Sequence, residues 1–284
     1  MSAMAHAIRI GLARGWTDFS LSIRSVQDQV STAIMPLVTI GYLYYQRDTP
    51  VEGTTLMLPA VALPSILAAL IVFGLVTGPA FQLAMDREDG TLLRAKCAPH
   101  GTTGYVTGQV VYHSLNTVLI LVVIMVPSAI VFDAFGARGM DGWITFSWVV
   151  WLGLLATMPI GIVIGSVVPS SRATVTWAML PLMALTVISG IFFPMTRLWE
   201  WVQVVAQMFP MYWIGLGLRS AFLPAEAAVI ELGGAWRPVE TALVLGVWAA
   251  AGLSIAPRVV RRMARRQSGA AVAKARDEAA QWGQ

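Results

Sequence analysis

The densest run of charged side chains lies in MDREDGTLLRAKCAPHG, residues 85–101. Asp86, Glu88 and Asp89 mix there with Arg87, Arg94 and Lys96. Such a knob of both signs suits polar contacts with another protein better than bond-making. Elsewhere the reactive groups are scattered. Haem or a metal held between helices needs clustered ligands, but His6, His100 and His113 stand far apart, and only His113 lies near an apolar stretch. No serine or cysteine has a recognisable base and acid around it. Cys97 is the only cysteine, which rules out a disulfide framework. Neither lysine, Lys96 nor Lys274, belongs to a GxxxxGK[ST] phosphate loop, so the chain does not bind ATP by that route.

The elements that must position the charged run are apolar. Of 284 residues, 57% are apolar and 12% charged, with a mean hydropathy of +0.69. Soluble domains carry about 25% charged residues. Windows 29–46, 53–85, 101–132, 142–171, 173–196, 201–218 and 241–257 contain no Asp, Glu, Lys or Arg. A span takes about 20 mostly apolar residues. The chain is therefore expected to be an all-α polytopic membrane protein.

Charge decides between six and seven crossings. The weakest window, 201–218, carries Gln203 and Gln207 and breaks at Pro210. If it does not cross, one side holds Arg9, Arg14, Arg24, Arg87, Arg94, Lys96, Arg172 and seven bases after residue 257, 14 in all. The other side keeps Arg47, Arg138, Arg197, Arg219 and Arg237, which is 5. Basic residues in short loops favour the cytoplasm. The expectation is six spans, near 29–46, 60–82, 106–131, 144–167, 174–194 and 240–257, with both termini cytoplasmic. They form one domain over 1–262, followed by a mobile tail over 263–284.

Two further elements are expected. Ile8, Leu12, Trp16, Phe19 and Ile23 recur on one helical face, with Arg9, Arg14 and Arg24 on the rest. This pattern predicts an interfacial helix over 5–25 lying along the cytoplasmic surface, Trp16 and Phe19 among the headgroups and Arg24 near anionic lipid. Between the fifth and sixth spans, Trp199, Trp201, Phe209, Tyr212 and Trp213 suit the membrane boundary. Short external helices dipping into the outer leaflet are expected there, broken at Pro194, Pro210 and Pro224.

The run at 86–96 has helix potential, with a Gly-Thr step at 90–91 and a stop at Pro99. Here the sequence resembles the type-2 ABC transporter permeases. In those proteins an E-R-E-x-G-T pattern, with a proline several residues on, forms a cytoplasmic coupling helix between the second and third spans. This chain reads D-R-E-D-G-T. A second resemblance lies at SGIFFP, residues 189–194, where Gly190, Phe192, Phe193 and Pro194 precede Pro210, Trp213 and Arg219. The resemblance covers roughly residues 5–262.

The resemblance implies a division of labour. Two permease chains, alike or different, form the pathway. Two ATPase subunits, identical or paralogous, bind ATP and magnesium, so this chain binds no cofactor itself. Asp86, Arg87, Glu88, Gly90 and Thr91 are implied to dock the ATPase. Phe73, Phe81, Met179, Met183, Leu185 and Phe193, on the second and fifth spans, are implied to line the pathway. The partners are thus membrane lipid and other subunits, not nucleic acid. The scarcity of charge in the spans favours an apolar or amphipathic cargo such as a drug, a lipid or a polyketide-like metabolite. Arginine outnumbers lysine 17 to 2, which suits a GC-rich bacterium and its cell membrane. Two other classes stay open, a carrier working without an ATPase and an intramembrane enzyme.

Overall fold

Every backbone N–H and C=O inside a bilayer must be bonded within the protein, so an apolar chain of this kind resolves into helices. The computed structural model describes residues 3–51, 56–98, 100–132, 135, 138–192 and 195–266. Pro99, Phe193, Pro194 and the tail beyond 266 lie outside the described residues. The described helices are α1 (Ala3–Arg24), α2 (Val26–Tyr45), α3 (Leu58–Glu88), α4 (Thr91–Lys96), α5 (Gly101–Phe132) and α6 (Gly139–Val167). Then come α7 (Ser171–Thr174), a π turn (Val175–Met179) and α8 (Leu180–Ile188), followed by α9 (Glu200–Gln207), α10 (Pro210–Phe222) and α11 (Pro238–Arg266). No strand occurs among the described residues.

Five stretches are long and apolar enough to cross a membrane: α3, α5, α6, the composite Ser171–Ile188, and Pro238–Met263. The first expected span, 29–46, corresponds to α2, which is not among them. It has 20 residues, but Gln27, Asp28, Gln29, Ser31 and Thr32 make its first turns polar. At the other end, α11 runs past 262 to Arg266.

α6 is the centre of the bundle, in contact with α3, α10 and α11. Glycine makes the closest approach possible. A Cβ at Gly161 would stand 2.5 Å from the Val76 carbonyl oxygen, and one at Gly165 would stand 2.6 Å from that of Ala80. Backbone therefore lies on backbone, and the apolar rows of α3 (Leu67, Ile71, Leu75) are completely buried.

α1 differs from expectation in what it packs against. The large apolar residues Ile8, Leu12, Trp16 and Ile23 stay exposed. The buried face consists of Ala7, Gly11 and Gly15. A Cβ at Gly11 would meet the Gly104 carbonyl oxygen at 2.3 Å, and one at Gly15 would meet that of Gly108 at 2.5 Å. Rising numbers on α1 match rising numbers on α5, so the two helices run side by side in the same direction. The helix is fitted onto α5 because small residues let the backbones touch. Replacing Gly11 by Val should therefore detach α1, lowering stability by about 1–3 kcal/mol. Limited proteolysis and thermal unfolding of the purified chain would register it, and an unchanged cleavage pattern would speak against this packing.

The region between α8 and α11 also differs from a set of helices resting in the outer leaflet. Every residue of α10 is buried. Tyr212 and Trp213 are inside the protein, whereas Trp199 and Trp201 are exposed and stacked with ring centroids 6.1 Å apart. The aromatics thus divide into a packed pair, an exposed pair, and Phe209, which is half-buried with its ring centroid 6.3 Å from that of Trp248.

Candidate functional site

At one end of the bundle, α3 stops and the chain turns into α4. Residues 86–88 are the last turn of α3. Gly90 takes φ +80°, a left-handed conformation that glycine adopts without strain. Asp89 Oδ1 accepts a 2.8 Å hydrogen bond from the Thr91 amide and closes the turn. The charged run is therefore two helices with a break at 89–90, rather than one helix over 86–96.

The three charges before that break point into the protein. Asp86 is 4% exposed; its Oδ2 accepts from the Tyr105 hydroxyl of α5 at 2.6 Å and its Oδ1 from Gln82 at 3.1 Å. Arg87 Nη1 donates to the carbonyl oxygens of Gly165 (3.0 Å) and Val168 (2.8 Å), at the C-terminal end of α6. Glu88 accepts from the Ser171 amide (2.7 Å) and the Ser171 hydroxyl (2.8 Å), at the first residue of α7. A helix ends with bare carbonyls and begins with bare amides, and its dipole favours a cation at the first and an anion at the second. Arg87 and Glu88 each have the right sign for the end they cap. Across from Asp86, Arg14 of α1 lies over the Tyr105 ring, 5.5 Å from its centroid.

These contacts place the residues expected at the docking surface. Asp86 is buried, and Arg87 and Glu88 are part-buried and bonded within the chain. Asp89 and Arg94 are exposed, Thr91 is half-buried, and Leu92 on α4 is fully buried and holds the short helix to the bundle.

The expected pathway residues are split. Phe81, Met179 and Met183 are exposed, while Phe73 and Leu185 pack partly buried against the core. Phe193 lies outside the described residues. Met179 closes the π turn within the Ser171–Ile188 stretch. Such turns are rare, and they often mark functional positions. His113, part-way along α5, is buried with its Nε2 paired to Gln109 Oε1 at 3.0 Å. It rests where a Cβ on Gly78 would come within 2.8 Å of its ring.

At the opposite end, three arginines fasten the α10 region. Arg219 is 2% exposed; it donates from Nε to Glu231 Oε1 at 2.5 Å and from Nη1 to Ser65 Oγ at 3.0 Å. Arg237 donates to Gln207 Oε1 at 2.9 Å and to the Tyr212 hydroxyl. Arg138 donates to the Ser220 carbonyl at 2.6 Å. Sequence reasoning singled out Arg219 and missed Glu231, its partner twelve residues on. No local pattern marked that acid among Glu226, Glu231 and Glu240.

Long apolar helices packed through glycines, with their polar contacts gathered at the two ends, define a multi-pass helical membrane protein. The family model for ABC-2 type transporters matches residues 7–223, and the chain belongs to that family. No curated protein is similar enough to be matched.

Proposed function

We propose that this chain is the translocating permease of an ATP-driven exporter, and that motion of a separate ATPase subunit enters the bundle through α4 and the end of α3. The observation that supports this reading is the set of contacts made by three successive residues. Asp86 reaches α5, Arg87 reaches the end of α6, and Glu88 reaches the start of α7. A displacement of α4 is thereby passed to three helices at once. Asp89, Thr91 and Arg94 meet the ATPase; Asp86, Arg87 and Glu88 transmit the movement behind them.

The family match supports an ATPase partner in general, and the rest of the proposed assembly is built on it. Two permease chains face each other, with ATP and magnesium on two ATPase subunits. The α4 end lies in the cytoplasm of a bacterial cell, by the 14 to 5 division of basic residues. α2 is the first of six spans and both termini are inside. The cargo is an amphipathic compound. The direct experiment co-expresses the chain with an ATPase encoded beside it and measures ATP-dependent uptake into inverted vesicles. Transport by the permease alone would instead favour an independent carrier.

Topology is tested separately. In a chain lacking Cys97, R138C and W236C should be labelled by an impermeant maleimide from outside intact cells. R94C, R172C and R262C should react only after lysis. Labelling of R262C from outside would remove the six-span arrangement.

A further inference from the structure

Three of the five stretches able to cross a membrane, α5, α6 and α11, enclose a groove of about 140 Å³. Its walls include Val106 and Val110 of α5, Leu155 and Ile162 of α6, and Leu253 and Val260 of α11. Among the described residues no charged side chain lines it, and none of the expected pathway residues does. Proline interrupts the ladder of a helix and bends it, and Pro159 and Pro257 stand on two of the walls. Leu155 and Leu253 on the rim are 42% and 54% exposed, so the groove opens sideways, away from the packed core.

Position along the three helices gives the groove a height. On α6 its lining runs from Trp151 to Ile162, 11 residues apart in the sequence, or about 16 Å at ~1.5 Å per residue. Half of a hydrocarbon layer about 30 Å thick has the same height. The foot of the groove is near the helix ends. Val106 is 5 residues from Gly101, Ile162 is 5 from Val167, and Val260 is 6 from Arg266. That is the end of the bundle where α4 packs, so the groove fits within one leaflet. Charge appears on α11 at this foot: residues 241–257 carry none, and Arg258, Arg261 and Arg262 follow. Arg261 Nε donates to the carbonyl oxygen of Pro257, a wall residue, at 3.1 Å, and Arg258 Nη1 donates to that of Ser254. Both guanidiniums are thereby folded back along the helix, toward the level of the groove. Both arginines are exposed, and among the described residues neither forms an ion pair.

We infer that the groove holds one acyl chain of an anionic phospholipid, whose phosphate rests against Arg258 and Arg261. Any lipid touches the outside of a spanning helix. Here a slot one leaflet high ends at guanidiniums that lack an acid, and a guanidinium binds phosphate through paired N–H donors. Basic sites between spans on the cytoplasmic side take anionic headgroups in this way. A neutral lipid would fill the slot and leave both positive charges unbalanced. The choice of leaflet rests on the cytoplasmic placement of α4 proposed above; the binding itself does not.

The test is native mass spectrometry of the purified chain in detergent, which needs no ATPase. The chain is titrated with palmitoyl-oleoyl phosphatidylglycerol or with phosphatidylcholine carrying the same acyl chains. The anionic lipid should bind about tenfold more tightly, the gain expected for hydrogen bonds to a charged group. R258Q/R261Q, confined to exposed side chains, should bring it down to the affinity of phosphatidylcholine and leave phosphatidylcholine unchanged. V110W, which narrows the groove from a position 37% exposed, should weaken both lipids. Dihexanoyl phosphatidylglycerol has the same headgroup on short chains, and should bind at least about tenfold more weakly because fewer methylenes are buried. That comparison checks the groove without a substitution. Equal affinity for the two headgroups, or unchanged binding in R258Q/R261Q, overturns the inference. So does a short-chain lipid that binds as tightly as the long one, which would leave only a basic surface. A lipid-free oligomer that changes mass in V110W would assign the groove to a second copy of this chain, and would overturn it as well.

Discussion

Replacing Glu231 by Ala should destabilise the protein by about 3–5 kcal/mol, the usual cost of stranding one member of a buried ion pair. Arg219 and Glu231 are 2% and 3% exposed, so neither charge can turn to water when the other is removed. Arg219 would keep Ser65 Oγ and the Gly190 carbonyl, but both are neutral acceptors and neither balances its charge. R219A should cost a similar amount by leaving the Glu231 carboxylate alone. The informative variant is the double change R219M/E231L, which removes both charges and keeps apolar volume. It should lose less than either single change, since a buried pair can be exchanged for packed apolar groups with little penalty. Thermal unfolding in detergent, followed by the exposure of a cysteine introduced on α10, measures all three. Losses that simply add in the double variant would mean that the two residues act independently.

The contacts of Arg219 explain why the effect should reach far. Its partners lie at the start of α3, after the end of α8 and in the turns that follow α10. With Arg138 on the Ser220 carbonyl and Arg237 on Tyr212, α10 is locked between helices distant in sequence. This shows what the sequence could convey and what it could not. The long apolar windows marked α3, α5, α6 and α11 because hydrophobic length is written locally. The Gly-Thr step at 90–91 was visible, but the left-handed turn that Gly90 makes there was not, because the flanking residues read as one helical run.

Burial of α10 was not readable, because it depends on neighbours supplied by α6. A Cβ on Gly142 would stand 2.3 Å from the Ala221 carbonyl, and one on Gly217 would stand 2.7 Å from Val149. Nothing within 210–222 distinguishes a helix clasped that way from one resting in lipid. The first helix shows the same conflict. Its large apolar face was conspicuous, but the spacing of Ala7, Gly11 and Gly15, repeated at Gly104 and Gly108, was the signal that governed packing. In lipid the small face wins, because close van der Waals contact replaces the hydrophobic drive between helices. The contacts of the charged run were unreadable for a related reason. A run of Asp, Arg and Glu at a membrane boundary resembles a docking surface in sequence, and only the positions of the α6 and α7 ends turn it inward.

That inward turn sets up the second large effect. Exchanging the two charges in the double variant R87E/E88R preserves net charge, composition and local helix propensity. A docking patch read mainly through its overall charge would absorb much of the change. In the observed arrangement both replacements are wrong in sign. Glu at 87 would confront the carbonyls of Gly165 and Val168, and Arg at 88 would confront the Ser171 amide. Each end loses hydrogen bonds to a charged group, worth about 1.5–3 kcal/mol, and gains a charge opposed to the helix dipole, worth about 0.3–1 kcal/mol. The expected loss is about 3 kcal/mol or more, concentrated where α3, α6 and α7 meet. Membrane insertion should be normal, because the apolar windows are untouched, and the ATPase should still co-purify through Asp89, Thr91 and Arg94. ATP-driven uptake should fall at least about tenfold, since a loosened junction takes up the motion instead of passing it on. E88A alone should show the same pattern in weaker form, and D89N should stay near wild type. If the exchanged pair transports normally, these residues do not couple the helices. If it releases the ATPase while leaving thermal stability unchanged, the run is a docking surface after all.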